Sequence, residues 1–262
     1  MTTRASLFDV RRSGVLLHLT SLPGPSGCGD LGADAYHFAD WLRNAGQTLW
    51  QVLPLNPVGA GNSPYQSVSV FAGNPLLVDL AQLAARGWLD HPPPHDFGHA
   101  RVDYRRVAPV RMALLREAWT GFVETARDED EDALAEFREQ QAHWLDDYAL
   151  FMALDQRHGG PWTQWPEEFA RRDAAALQGL REESASEIGF WCFVQWQFMV
   201  QWQRLRAHAC ERGVHLVGDA PIFVAHHSAD VWANAGQYLL DAHGAPTVVA
   251  GVPPDYFSAT GQ

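Results

Sequence analysis

The stretch VLLHLTSLPGPSGCGDLGADAYHFADWLRNAGQTLWQVLPL, residues 15–55, decides the fold class of this chain. Its first five residues form an apolar run that TSLPGP then ends, which predicts a buried strand followed by a loop. Apolar residues recur at three- and four-residue spacings over residues 34–45, which predicts an amphipathic helix that Gly46 ends. A second strand is predicted over residues 48–55. Strand, helix and strand with short connections imply a parallel pair with a right-handed crossover.

Outward from this unit, the regular alternation of strand and helix stops and later resumes. Residues 59–75 are rich in Gly, Ser, Asn and Pro and predict a long ordered loop. Residues 110–210 carry mostly helical patterns, including one helix with Leu114, Leu115 and Val123 on its apolar face. A third strand is predicted over residues 214–217, and Ser228 caps a short helix after it.

This order of elements predicts an α/β fold with a parallel sheet and a large, mostly helical insertion. Either a doubly wound sheet or a barrel satisfies the pattern. A full eight-stranded barrel needs about 250 residues before any insertion, and only a few barrel-type strands are visible, so the barrel alternative is an incomplete one.

Composition excludes several classes of partner. The formal net charge of −12 disfavours nucleic acid and anionic membrane surfaces, whereas a neutral substrate such as a sugar is not disfavoured. No apolar run approaches the length of a membrane span, and the N-terminus has no secretory h-region. Three widely spaced cysteines predict reduced thiols and a cytoplasmic protein. The 11 tryptophans are more simply explained by packing than by sugar binding.

Candidate site residues follow the predicted strands, because sites in parallel α/β folds gather at the carboxyl ends of strands. His18 ends the first strand, Tyr65 lies in the loop after the second, and Asp219 follows the third. Each has a structural alternative, namely a core histidine, an exposed turn tyrosine and a loop aspartate that caps a backbone N–H. The pair His226 and His227 lacks the matching ligand spacing of a metal site.

Four motifs carry a resemblance to a known family: LLHLTSLPGPSGCGDLG, GNSPYQSVSVFAGNP, GDAPIFV and GVPPDYFSATGQ. The chain resembles the N-terminal part of amylomaltase-type 4-α-glucanotransferases of glycoside hydrolase family 77, most densely over residues 13–80 and 214–262. The resemblance implies a (β/α)8 TIM-type barrel with an inserted helical subdomain, incomplete in this chain. Residues 1–80 would hold the first barrel strands and substrate loop, 81–210 the insertion, and 211–262 the continuing barrel and a lid loop.

The resemblance also implies a reaction. Members of the family transfer α-1,4-glucan segments between maltooligosaccharides by a retaining double displacement, without an organic cofactor or a metal. Such chemistry needs two carboxyl groups about 5–5.5 Å apart, one a nucleophile and the other an acid and then a base. In the family these groups lie on later strands, so no catalytic residue is expected up to Gln262 and the 262-residue chain alone is expected to be inactive.

Applied to the residues of this sequence, the resemblance implies a set of substrate-binding residues. An alternative to the transferase function also remains open. Tyr65 would stack on a sugar, Asp219 would bind sugar hydroxyls, and a lid would cover the bound glucan. The implied binding residues are His18, Ser63, Tyr65, Asp219, Pro254, Asp255, Tyr256 and Phe257. The alternative is a non-catalytic glucan-binding or structural remnant, and an interrupted barrel is also expected to self-associate through its open edge.

Overall fold

Three short parallel strands bring together the two parts of the chain in which strands and helices alternate, one near each end of the sequence. The computed structural model describes residues 10–90, 97, 101–256 and 258–261. The strands β1 (Gly14–Leu16), β2 (Leu49–Gln51) and β3 (His215–Val217) lie in the order β1-β2-β3. The predicted parallel pairing of the first two strands is confirmed. Each strand is shorter than predicted, and β1 ends two residues before a 3-10 turn, Leu19–Ser21.

Only one face of this sheet is covered. Trp50, in the middle of β2, is fully buried and donates from Nε1 to the Leu17 carbonyl oxygen at 2.8 Å. On the other face Leu16 is 56% exposed and Val217 36% exposed. We call this second side, with Leu16, Leu49, Gln51 and Val217, the open face. The prediction of a buried first strand is therefore wrong at Leu16.

The predicted helix after β1 is confirmed as α1 (Ala33–Asn44). Phe38 projects from it and meets the Trp50 ring edge-on, with ring centroids 5.0 Å apart. Gly46 has a φ of 72°, the left-handed conformation that suits the residue after a helix. The local pattern therefore defined both the packing face and the end of this helix.

Helices dominate the middle of the chain, as predicted. They are α2 (Leu80–Ala85), α3 (Tyr104–Thr125), α4 (Asp128–Gln140), α5 (Leu145–His158), α6 (Glu167–Ala170), α7 (Ala174–Glu183) and α8 (Ala185–Glu211). Val123 of α3 is 59% exposed, so its predicted place on the apolar face is wrong. None of these helices has the length and apolar character needed to cross a bilayer. The division of the chain at residues 80 and 210 stays a prediction.

The long helix α8 is the centre of the core. Its aromatic side chains point in several directions, and Phe190, Phe193 and Phe198 are all buried. The helix contacts α1, α3, α4, α5, α7 and β3. Aromatic rings on several sides of one helix are stable where neighbouring elements cover those sides, and these elements cover α8.

A buried ion pair ties α3 to the turn before α1. The Arg111 side chain is fully buried, and its Nη2 donates to Asp30 Oδ2 at 3.1 Å and to the Val78 carbonyl oxygen at 2.6 Å. Burial raises the pKa of Asp30 to about 6, although the charge of Arg111 opposes the rise. Removing either partner would leave an uncompensated charge in the core, which is strongly destabilising.

Two glutamines of α8 hold the segment that follows the long loop. The Gln195 side chain accepts from the Gly73 N–H at 2.7 Å and donates to the Gly73 carbonyl oxygen at 2.9 Å. Gln201 makes the same two bonds to the backbone of Asp79, at 2.7 and 3.2 Å. A Cβ placed on Gly73 would overlap the Phe198 ring. Glycine at this position is what allows the segment to lie directly on α8.

We therefore expect Gly73→Ala to destabilise the protein by about 1–3 kcal/mol, because the added methyl group must push the segment away from Phe198. Urea unfolding would measure the change. The matched control is Gly179→Ala in α7, where an added Cβ meets nothing within 4 Å and alanine should stabilise the helix by about 0.5–1 kcal/mol. Equal stability of the two variants would contradict the close approach.

Candidate functional site

Two of the predicted site residues meet at the edge of the sheet. Tyr65 lies in the loop after β2, and Asp219 comes two residues after the end of β3. The Tyr65 hydroxyl donates to Asp219 Oδ2 at 2.7 Å. Asp219 Oδ1 accepts from the Ala220 N–H at 2.8 Å, so this carboxylate also caps a backbone group, which was its structural alternative. One carboxylate therefore binds the tyrosine and holds its own loop.

The Tyr65 side chain is exposed but tethered. Its relative exposure is 45%, so part of the ring is open to a ligand. The hydrogen bond to Asp219 favours the protonated phenol and raises the pKa of Tyr65. The same bond fixes the position of the Tyr65 hydroxyl.

Serine side chains shape the loop that carries Tyr65. Ser63 Oγ accepts from the Tyr65 N–H at 3.3 Å, and this is the contact of the predicted residue Ser63. Further along, Ser67 Oγ donates to the Ser69 carbonyl oxygen at 2.6 Å, and both of these serines are buried. Ser67 and Ser69 are not among the predicted site residues, although their two-residue spacing in a turn-rich segment is typical of local side chain to backbone bonds.

A short helix after β3 anchors the same loop from the other side. This helix is α9 (Ala229–Ala233), and the predicted N-cap Ser228 accepts from the Val231 N–H. Asp230 Oδ2 accepts from the Val70 N–H at 3.0 Å. Burial raises the pKa of Asp230, while the bond from Val70 opposes the rise. Nothing in the sequence signalled this role, because the two residues lie 160 positions apart.

His18 lies close to the end of β1 in a half-buried position. Its Nδ1 is buried and has no hydrogen-bond partner among the residues that the structure describes. Burial lowers the pKa of His18, which favours the neutral ring. The hydrogen bonds of the described residues do not join His18 to Tyr65 or Asp219, so its predicted part in the site stays a prediction.

The predicted lid segment folds into a local turn. Asp255 accepts from the Ser258 N–H with Oδ1 at 2.8 Å, and its own N–H donates to the Ser258 carbonyl oxygen at 3.0 Å. Pro254 is exposed and Tyr256 is 89% exposed. Phe257 lies outside the described residues. Three of the four predicted lid residues therefore lie on the surface.

The two adjacent histidines have structural partners. His227 Nε2 lies 2.9 Å from Asp155 Oδ1, and His226 Nε2 lies 2.7 Å from the Gly244 carbonyl oxygen. In the described part of the chain no group of three or more His, Cys, Asp or Glu residues is placed to hold a metal ion. The ring nitrogens of this pair are thus engaged in packing the segment after β3.

Comparison with known proteins places this geometry in a family. The family model described as 4-alpha-glucanotransferase, glycoside hydrolase family 77, matches residues 17–262. The chain belongs to this family. A 4-alpha-glucanotransferase of Thermus thermophilus is 52% identical over 253 residues, which are 96% of this chain and 50% of the relative. One from Synechocystis sp. is 44% identical over 98% of this chain and 52% of its own length. The chain thus spans about half the length of the curated relatives it matches.

One solved amylomaltase structure agrees with the assignment to glycoside hydrolase family 77, and a second shares the fold. The amylomaltase from Streptococcus agalactiae in complex with acarbose matches 96% of this chain and 52% of its own, with a TM-score of 0.90 and 35% identity. The amylomaltase of Corynebacterium glutamicum shares the fold, with a TM-score of 0.67 at 20% identity. The resemblance to the N-terminal portion of the family is therefore confirmed.

We expect Asp219→Asn to lower the pKa of Tyr65 toward that of a free tyrosine, because the charged acceptor that holds the phenol proton is removed. Ultraviolet titration of the tyrosines would measure the shift. Tyr65→Phe is the control, since the transition that moves in Asp219→Asn must be the one that disappears in Tyr65→Phe. A Tyr65 transition at the same pH in the wild-type chain and in Asp219→Asn would contradict the hydrogen bond between the two residues.

Proposed function

We propose that this chain is the N-terminal part of a 4-α-glucanotransferase that transfers α-1,4-glucan segments between maltooligosaccharides. The observation that carries the proposal is the bond of 2.7 Å between Tyr65, in the loop after β2, and Asp219, just after the neighbouring strand β3, in a member of this family. In parallel α/β folds the carboxyl ends of neighbouring strands form the usual place for a substrate.

In this proposal Tyr65 and Asp219 are binding groups. The exposed ring of Tyr65 stacks on the apolar face of a glucose unit, and Asp219 accepts hydrogen bonds from its hydroxyls. Ser63 supports the ring from its own loop. His18 is an additional candidate, whose buried and unpartnered Nδ1 supports a polar role.

The segment with Pro254, Asp255, Tyr256 and Phe257 is proposed as the lid. The large exposed fraction of Tyr256 supports this, because an aromatic ring on a surface turn can fold over a bound chain. A closed lid excludes water from the reacting bond. Transfer to a sugar hydroxyl is then favoured over hydrolysis.

The chemistry is proposed to be a retaining double displacement. A nucleophilic carboxylate attacks the anomeric carbon and forms a covalent glycosyl–enzyme intermediate, while a second carboxyl group protonates the leaving oxygen. The same group then deprotonates the acceptor hydroxyl, which attacks the intermediate. We place both groups outside residues 1–262, so that these residues bind glucan without catalysing its transfer.

For the fold we propose that β1, β2 and β3 belong to a (β/α)8 barrel. Their sequential parallel order supports this, since neighbouring strands of such a barrel follow one another along the chain. The described residues contribute three of the eight strands. A cytoplasmic location is proposed as well, supported by the free thiols of Cys28, Cys192 and Cys210.

Calorimetric titration with maltoheptaose tests the binding part of the proposal. We expect Tyr65→Ala to weaken affinity at least tenfold, because the stacking face is lost, and Tyr65→Phe to weaken it less. Trp41→Ala is the matched control, since Trp41 of α1 is 50% exposed against 45% for Tyr65. Unchanged affinity in Tyr65→Ala would refute the stacking role.

The catalytic part is tested in the same samples with maltotriose. We expect no longer or shorter products on chromatography, because the reacting carboxylates are supplied from outside these residues. Appearance of maltose and maltotetraose would overturn that assignment. Binding of maltoheptaose without conversion of maltotriose would agree with that assignment. A chain that shows neither binding nor conversion would have no glucan-binding role.

Self-association of the isolated chain is a further part of the proposal. Neither β1 nor β3 has a second neighbouring strand among the described residues, and the open face beside them borders an apolar cavity of about 750 Å³. Unpaired strand edges and uncovered apolar faces favour pairing with another copy of the chain.

We expect sedimentation velocity to show species larger than a monomer at increasing concentration, and Leu16→Lys to shift them toward monomer. The lysine places a charge on the open face, where Leu16 is 56% exposed. Val123→Lys is the control, because Val123 is 59% exposed on α3 and lies away from the sheet. A wild-type chain that stays monomeric throughout would contradict the proposal.

A further inference from the structure

Two separate contacts join the loop after β2 to the segment after β3. The first is the hydrogen bond between Tyr65 and Asp219. The second lies further along both segments, where the Val70 N–H donates to Asp230 Oδ2 at 3.0 Å. A single contact lets one segment rotate about the other, whereas two separated contacts also fix their relative orientation. The geometry at Tyr65 therefore depends on the contact at Val70 as well as on its own bond.

The two contacts differ in their exposure to water. Tyr65 and Asp219 are both exposed, so water competes for each end of their hydrogen bond and leaves it a small net contribution to stability. Asp230 is only 8% exposed, and its bond to Val70 is shielded. The exposed bond forms reliably only where other contacts keep its two partners close together. The buried contact at Asp230 is suited to that task.

A backbone bond doubles the buried contact. The Ala229 N–H donates to the Val68 carbonyl oxygen at 2.8 Å, and Ala229 is buried like Asp230. One bond thus runs from α9 to the loop, and the bond from Val70 to Asp230 runs from the loop to α9. Because the two bonds meet alternate residues of the loop, sliding the loop along α9 would break both of them.

The helix that carries Asp230 is itself held by the core. Trp232, in the same helix, is 1% exposed. Its ring packs against Phe151 of α5 and against Trp165, with centroids 6.0 and 6.1 Å apart. Asp230 therefore projects from a helix that the aromatic core keeps in place, and the loop is attached to that helix.

We propose that Asp230 is a positioning residue for the Tyr65–Asp219 pair. By accepting from the Val70 N–H, Asp230 keeps the Tyr65 hydroxyl within reach of Asp219. A loop that is ordered before a ligand arrives loses less conformational freedom on binding, so the same contact raises the affinity for the ligand. A glucan as that ligand rests on the proposed function, whereas the link between Asp230 and Tyr65 rests on the contacts alone.

The test separates the oxygen acceptor of Asp230 from its charge. Asp230→Ala removes both, whereas Asp230→Asn removes the charge and keeps a side-chain oxygen that accepts hydrogen bonds. Asp173→Ala is the matched control, because Asp173 also accepts backbone N–H groups at the start of a helix, those of Ala175 and Ala176 in α7, both at 3.0 Å. Loss of that cap destabilises the protein without touching the Tyr65 loop.

Ultraviolet titration of the tyrosines gives a readout that a loss of stability alone does not move. The bond to Asp219 raises the pKa of Tyr65. We therefore expect the Tyr65 transition to fall toward that of a free tyrosine in Asp230→Ala, although Asp219 is intact. Asp230→Asn and Asp173→Ala should keep the wild-type transition. An unchanged transition in Asp230→Ala, or an equal fall in Asp230→Asn, would overturn the proposal.

Tyr238 supplies an internal control for the charge. Burial raises the pKa of Tyr238, and the negative charge of Asp230 adds to the rise. Removal of that charge should lower the Tyr238 transition in both Asp230→Ala and Asp230→Asn, whereas the Tyr65 transition should move only in Asp230→Ala. The same titrations in a Tyr65→Phe background identify which transition belongs to Tyr65.

Calorimetric titration with maltoheptaose connects the position of Tyr65 to binding. We expect Asp230→Ala to weaken the affinity about threefold to tenfold, the effect of ordering one or two side chains on binding. Asp230→Asn should restore the wild-type affinity, and Asp173→Ala should leave it unchanged. Asp230→Ser, checked for a native circular dichroism spectrum, is the second variant. Its oxygen lies one bond closer to the backbone, so it should behave as Asp230→Ala does in both measurements.

The outcomes distinguish this role from the proposed function. Wild-type affinity together with a wild-type Tyr65 transition in folded Asp230→Ala and Asp230→Ser chains would overturn the positioning role and leave the proposed function standing. A wild-type chain that does not bind maltoheptaose would contradict the proposed function, while the tyrosine titration would still decide whether Asp230 positions Tyr65.

Discussion

The paired hydrogen bonds from Gln195 and Gln201 to the backbone of Gly73 and Asp79 are the contacts on which the rest of the structure depends. A buried amide side chain is costly unless its donor and its acceptor are both satisfied, and each glutamine satisfies both against a single residue. The two bonded positions on α8 are six residues apart, so they fix the direction of the segment as well as its distance. The loop with Tyr65 leads directly into this segment and is held at its end.

Much of the architecture could be predicted because it is encoded locally. The helix α1 follows from apolar spacing and from Gly46, and the start of α9 follows from Ser228, whose hydroxyl accepts from a backbone N–H three residues later. The parallel pairing of β1 with β2 follows from the short connections around α1. These features depend on residues within a few positions of one another.

Other features could not be predicted, because they depend on residues far apart in the chain. Gln195 and Gly73 are 122 positions apart, and a glutamine in an aromatic-rich helix carries no sign that it binds a loop backbone. The first strand is shorter than its apolar run, since the run continues into the 3-10 turn at Leu19, where a buried side chain does not require a strand. Tyr65 and Asp219 were found singly, from their places after two strands, but their bond required the structure.

The helix α9 has a consequence for the energetics of the whole molecule. Asp230 of this helix accepts from the backbone of the loop that carries Tyr65, and Trp232, two residues later, packs under the Arg172 guanidinium and donates from Nε1 to the Phe169 carbonyl oxygen at 2.9 Å. Two distant segments thus share contacts with one helix of five residues. Whatever orders α9 from one side lowers the entropic cost of ordering it from the other. Thermodynamic linkage then requires this influence to be reciprocal, with the same coupling free energy in both directions.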